Sequence, residues 1–219
     1  MEERSIMTNI RSSIFITENT QQIERKILNA LKKDVNKYLE KAFNKCKTRI
    51  VDLITKAIIN SPEYNSLIYG DLKYEFGLPD SKSRLDNILA FWQKITANYN
   101  ALTIQNNKFS GGFSISMIDS SYADVLSSSA STFRTEKGTD LNWLEWLLLF
   151  GNKTIIRDYV VEFGPNPNSR TGMAVMKGVQ RGKWSVPGEF VGTKNNNWIT
   201  RAIESVDNDI NTLFKEALK

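Results

Sequence analysis

TIIRDYVVEFGPNPNSRTGMAVMKGVQRGKWSVPGEFVGTKNNNWITRAI, Thr154 to Ile203, sets an aromatic-rich strand, a Gly-Pro-Asn loop, a second apolar strand and a Gly-Thr loop ahead of a final helix. In the first strand Ile155, Tyr159, Val161 and Phe163 alternate with Arg157, Asp158 and Glu162, the period of a sheet with one covered face. Gly164 permits a tight turn, and Pro165 and Pro167 stiffen the loop after it. Thr171 to Val179 supplies the returning strand. The closing helix, Asn196 to Lys219, carries Ile199, Ala202, Ile203, Val206, Ile210, Leu213, Phe214 and Ala217 on one stripe.

Outward from that stretch, LNWLEWLLLFG (141–151) reads as a helix capped by Asp140 and closed by Gly151. The serine-rich LSSSASTFRTEKGTD (126–140) has no apolar period and reads as a surface loop. Leu102 and Ile104, then Phe113, Ile115 and Met117, predict a hairpin around Asn106-Asn107 and Gly111-Gly112. Ser81 to Ala97 predicts a helix capped by Asp80 or Ser81, burying Leu85, Ile88, Leu89, Trp92 and Ile95. Gly70, Gly77 and Pro79 punctuate short helical pieces before it.

The N-terminal third is one long amphipathic pattern. Apolar residues recur at Ile23, Ile27, Leu31, Val35, Tyr38, Ala42, Cys46, Ile50, Leu53 and Ala57, always three or four apart, until Ser61-Pro62 ends the run and caps a successor. A continuous helix over about 18–60 would be about 60 Å long at 1.5 Å per residue. A compact domain of this size has a radius of gyration of only about 17 Å. The helix must break, project or lie against something else. The order of elements predicts a single α+β domain over 1–219, its long N-terminal and C-terminal helices packed on a small antiparallel sheet of about four strands.

Composition narrows the chemistry. The 219 residues, 41% hydrophobic and 11% aromatic, suffice for a substantial core. They include no histidine, which removes imidazole bases, the Ser-His-Asp and Cys-His arrangements and the usual zinc sites. One cysteine, Cys46, excludes an internal disulfide and a multi-cysteine cluster, and reads as an apolar helix filler in a chain made under reducing conditions. The segment MEERSIMTNIRSSIFI has no continuous apolar core, so no secretory signal is expected there. The longest apolar run, Trp146 to Phe150, falls far short of the roughly 20 residues of a membrane span, so no membrane partner is expected.

Between Glu18 and Ile59 ten basic residues face five acidic ones, an excess equal to the whole net charge of +5. Lys33, Lys37 and Lys41 are the central members. Such a helix face can be solvated, meet an acidic protein surface or meet nucleic acid. DNA contact is allowed but not favoured, because only Tyr38 and Phe43 interleave as aromatics and no recognition motif accompanies them.

Motifs with reactive chemistry fail on spacing. GVQRGKW (178–184) has three residues between its glycines instead of four and no Ser or Thr after Lys183, so it is not a phosphate loop. Asp158 and Glu162 share a strand face as a metal pair would, but a cross-strand ion pair with Lys177 is the simpler reading. Ser81-Lys82-Ser83 lacks the spacing of Ser-Lys acyl enzymes. No catalytic residue, metal ligand or cofactor is nominated. Trp143 and Trp146 share a helix face, while Trp184 and Trp198 read as core or interface anchors, and Arg170 is left to donate forked hydrogen bonds.

With Gly192-Thr193 leading into Asn197-Trp198-Ile199-Thr200-Arg201-Ala202-Ile203, and with the segment Trp146 to Met176, especially FGPNPNSRTGMAVM (163–176), the stretch from about 140 to 205 resembles the tail-completion and neck proteins of tailed bacteriophages. That family often has Pro-Phe-Leu/Ile-x-Pro-Ala-Leu/Ile at the start of the last helix. Here Trp198 stands for the Phe and Arg201 for the second Pro. The resemblance implies a structural virion protein that joins head to tail. It would act as a homo-oligomeric ring of about six or twelve copies, assembled in the host cytoplasm and seated in the neck beside portal-adaptor, tail-tube or sheath proteins. It further implies that Arg170, Trp184, Trp198 and Arg201, with Lys33, Lys37 and Lys41 on the basic helix, are contact residues. A nucleic-acid-binding module using the basic helix is the second reading, and a carboxylate-metal hydrolase at Asp158 and Glu162 the third.

Overall fold

A computed structural model describes residues 17–95, 97–115, 119–136 and 138–219. The sequence readings on 1–16, Met117 and Lys137 lie outside the described residues. Helix α1 runs unbroken from Thr20 to Ile59, opened by an Asn19–Gln22 capping box in which Asn19 Oδ1 accepts from Gln22 N at 2.9 Å. Ser61 and Pro62 then start α2 (Pro62–Tyr69), as their spacing requires, and α3 (Asp71–Glu75) and α4 (Ser81–Ile95) follow. Strands β1 (Ala97–Gln105) and β2 (Lys108–Ile115) pair across Asn106 and Asn107, which both adopt positive φ, the conformation an Asn-Asn hairpin turn supplies.

Helix α5 (Asp119–Leu126) precedes a minimal hairpin, β3 (Phe133–Arg134) with β4 (Asp140–Leu141), and then α6 (Trp143–Leu149). The serine-rich segment is therefore not wholly irregular. Asp140 does not cap α6: it sits in β4 with its carboxylate 3.9 Å from Arg134, and Asn142 holds the cap position without a side-chain bond. Strands β5 (Ile156–Phe163) and β6 (Ala174–Trp184) pair antiparallel, so the returning strand lies later than Thr171 to Val179.

The expected four-stranded sheet does not form. The described strands make three separate two-stranded ladders, each attached to its own part of the helical body. Two of the ladders are irregular: β1–β2 shifts between Asn100 and Thr103, and in β5–β6 four residues, Val179 to Gly182, bulge opposite Asp158 alone. Asp158 and Arg181 both sit near φ +60°, and the Asp158 carboxylate accepts the Arg181 N–H at 3.0 Å. A Cβ on Gly182 would lie 2.9 Å from the Val179 carbonyl, so the bulge needs glycine there.

The expected closing helix is two helices, α7 (Trp198–Ser205) and α8 (Asp207–Ala217). Val206, at φ −116° and ψ 13°, leaves the helical region between them, and Asp207 and Asp209 fill the first turn of α8, where carboxylates favour a helix start. The kink lets α7 and α8 both follow α1. One continuous cluster of buried apolar residues runs from Phe43, Ile50, Ile54 and Ile58 of α1 through Leu67, Leu85, Trp92, Trp143 and Leu147 to Trp198, Ile199 and Ile210. Cys46 lies inside it, its thiol pushed above the ordinary value chiefly by burial. No helix of the described residues is long and apolar enough to cross a membrane.

Candidate interface surfaces

Two of the expected contact residues, Trp198 and Trp184, face inward, and Arg201 is a third exposed but bonded within the chain. Trp198 has no exposed surface: it packs edge-on against Trp92 at 5.2 Å and donates its indole N–H to Ser61 Oγ at 2.7 Å. Trp184 is buried edge-on to Phe76 at 5.7 Å, and its indole N–H reaches a Glu75 carboxylate oxygen at 3.0 Å. Arg201 Nη2 meets buried Glu63 at 2.5 Å, while Nη1 donates to Asn196 Oδ1 at 2.9 Å and to the Val191 carbonyl at 3.2 Å. These side chains hold the chain to itself, and of the two readings of Trp184 and Trp198, core or interface anchor, their burial matches the first. An indole N–H or guanidinium whose donors are satisfied internally has little left to offer a neighbour.

The neighbour of Trp198 was not legible as a functional position. Asn197, fully buried, accepts from Ile199 N at 3.0 Å and Thr200 N at 3.2 Å, and donates to Tyr122 Oη and the Thr193 carbonyl, both at 3.0 Å. It fixes the start of α7 and ties α5 to it. The preceding Gly192 has no room for a Cβ, which would lie 2.1 Å from the Leu147 carbonyl.

Lys33, Lys37 and Lys41 are exposed, in an i, i+4, i+8 row along the first half of α1. That half forms an arm. The β1–β2 hairpin lies along one side of it: Asn36 Oδ1 accepts from Tyr99 Oη at 2.8 Å and from Leu102 N at 2.7 Å, and Asn107 Nδ2 reaches Glu24 at 3.1 Å. Away from the hairpin, Ile27, Leu31 and Tyr38 stay 54%, 48% and 53% exposed. Tyr38 donates to the Leu218 carbonyl at the end of α8.

The second exposed surface is the β5–β6 hairpin, where Tyr159, Phe163, Met173 and Val179 are all more than two-fifths exposed. Beneath it, towards α3 and the β3–β4 hairpin, lie two adjoining cavities of about 340 and 270 Å³ that share Glu75, Thr135, Arg170 and Met176. Arg170, the one nominated residue of the loop, stacks on the Phe133 ring at 4.8 Å and abuts Gly77, where a Cβ would come within 2.5 Å of its Nη2. Partial burial lowers its pKa from the ordinary value, opposed by the field of Glu136. Burial raises the pKa of Glu75, against the hydrogen bond from Trp184, and Asp71 adds to the rise. Sequence reading missed Glu75, Gly77 and Phe133, which come from distant segments and follow no spacing rule.

The metal pair is not assembled. Asp158 caps the bulge, and Glu162 pairs with Lys177 at 3.1 Å, the simpler of the two expectations. Among the described residues no three Cys, Asp or Glu side chains are grouped to hold a metal ion. The fold and its surfaces thus define a helical α+β body carrying two exposed hairpin-bearing edges. No family model, curated protein or solved structure matches the chain.

Proposed function

We propose that the chain is a structural assembly subunit, a ring-forming protein of the neck of a tailed phage that helps join tail to head. The observation that carries the assembly reading is the pair of exposed apolar surfaces on separately anchored elements: the arm of α1, fastened to the β1–β2 hairpin and to the end of α8, and the β5–β6 hairpin, fastened through α3. A closed ring needs two different faces on each copy, because its contacts are heterologous. Clustered exposed apolar side chains are the kind of surface that partners cover. The placement in a phage neck rests on the resemblance of residues 140–205 alone.

The two-face arrangement has a distinctive test. Leu31→Glu spoils the arm and Phe163→Glu spoils the hairpin, and each variant alone should remain monomeric by sedimentation velocity where the native chain forms a ring. Mixed in equal amounts, they retain one intact arm and one intact hairpin face, and should form a two-chain complex and nothing larger. A native chain that stays monomeric at high concentration overturns the ring. Steeply salt-dependent DNA binding by that monomer would favour the nucleic-acid reading instead.

A further inference from the structure

Two arginines flank the same aromatic ring and are treated differently. Arg84, 5.2 Å from the Phe133 ring, is engaged: through Nε it donates to Asp80 at 2.7 Å, and through Nη1 to the carbonyls of Ser129, Ala130 and Thr132. Arg170, at 4.8 Å from that ring, makes no hydrogen bond or ion pair to the described residues. Its guanidinium is held by Phe133 and Gly77 at the mouth of the cleft, with its forked donors free. Glu75 and Glu136 line the same cleft, and Val161, Ala174 and Met176 form its apolar wall.

The arm offers the complementary pattern. At 100° per residue, Ile27, Leu31, Asp34 and Tyr38 fall within an arc of about 60° on α1. Asp34 is exposed and makes no hydrogen bond or ion pair to the described residues, so a single carboxylate stands amid exposed apolar groups. Lys37 and Lys41 border that arc on one side, opposite in sign to Glu75 and Glu136. We infer that the Asp34 face of α1 in one copy docks on the Arg170 cleft of a second copy, Asp34 meeting the Arg170 guanidinium while Leu31 and Ile27 cover the wall and rim of the β5–β6 hairpin. This rests on the ring reading and names its contact: a helix laid on a groove, with one carboxylate–guanidinium pair setting the register.

Charge reversal tests it, with assembly followed by sedimentation velocity across a concentration series. Asp34→Lys and Arg170→Glu should each raise the concentration needed for assembly by roughly tenfold or more. The double variant, with the pair inverted, should return to within about threefold of the native chain. Asp34 is on an exposed helix surface, so D34K keeps the test valid even if R170E perturbs folding. Native assembly by D34K overturns the contact, and so does a double variant no better than the worse single one. If the native chain assembles and ignores both reversals, only this contact falls; if the native chain never assembles, the ring falls as well.

Discussion

The two halves of α1 have the same amphipathic spacing and opposite fates. From Ala42 to Ile58 the helix buries Phe43, Cys46, Ile50, Ile54 and Ile58 in the core; from Thr20 to Lys41 no residue is fully buried, and Ile27, Leu31 and Tyr38 are about half exposed. The reason lies in the spacing. The ten apolar positions from Ile23 to Ala57 average slightly more than 3.6 residues apart, so the stripe winds round the helix by about 18° per step. By Ile27 it has turned about 140° from Ile50. A rule that accepts any gap of three or four sees one face where the molecule has two. The first is left exposed to solvent, and the second faces the chain's own core.

Substitutions that separate these halves sharpen the comparison. The largest effect belongs to the core side: Trp198→Ala empties a site with no exposed surface and strips Ser61 of a donor, and should cost about 4 kcal/mol in chemical denaturation. A loss below about 1 kcal/mol would mean that Trp198 is not a core residue. Arg201→Met leaves the Glu63 carboxylate buried without its partner and should cost about 3 kcal/mol, measured the same way. Glu63→Gln, which removes the charge but keeps an acceptor, should cost less.

On the exposed side, Leu31→Ala should change the stability of the monomer by no more than about 0.5 kcal/mol while weakening assembly. A large loss of monomer stability would place Leu31 in the chain's own core and dissolve the contrast. The smallest effect is a pH dependence at the cleft. Because burial raises the folded-state pKa of Glu75, the folded chain keeps that proton longer than the unfolded chain does. Stability contributed at this site is therefore unaffected at low pH and falls as pH rises just above the ordinary carboxyl range. Thermal melts of native and Glu75→Gln chains should diverge across that window, the variant gaining relative stability as pH rises. Parallel curves would show that the Glu75 carboxyl is as well solvated folded as unfolded.

Local chemistry was legible where one short segment decides the outcome. Asn106-Asn107 gave the first hairpin, Ser61-Pro62 the break between α1 and α2, and the alternation after Ile155 gave β5. Each rests on backbone preference within a few residues. The candidate site was legible only in part: Arg170 stood out as a loop arginine, but the ring that holds it, the glycine that admits it and the carboxyl opposite come from residues 75 to 133. The tryptophans were left open between core and interface because an indole beside a loop looks the same in sequence whether a core or a neighbour covers it.

The sequence by itself determined the α+β class, the long first helix, the two longer hairpins and a chemistry without imidazole, since propensity, capping and composition act through near neighbours or none. Only the tertiary structure decided that Trp184 and Trp198 turn inward, that Arg201 is tied to buried Glu63, that the described strands remain three separate ladders, that the last helix kinks at Val206, and that Arg170 has no hydrogen bond or ion pair among the described residues. Those outcomes depend on which distant groups arrive to cover a surface or satisfy a donor, and the cover of a side chain is a property of the packed body and not of its neighbours in the chain.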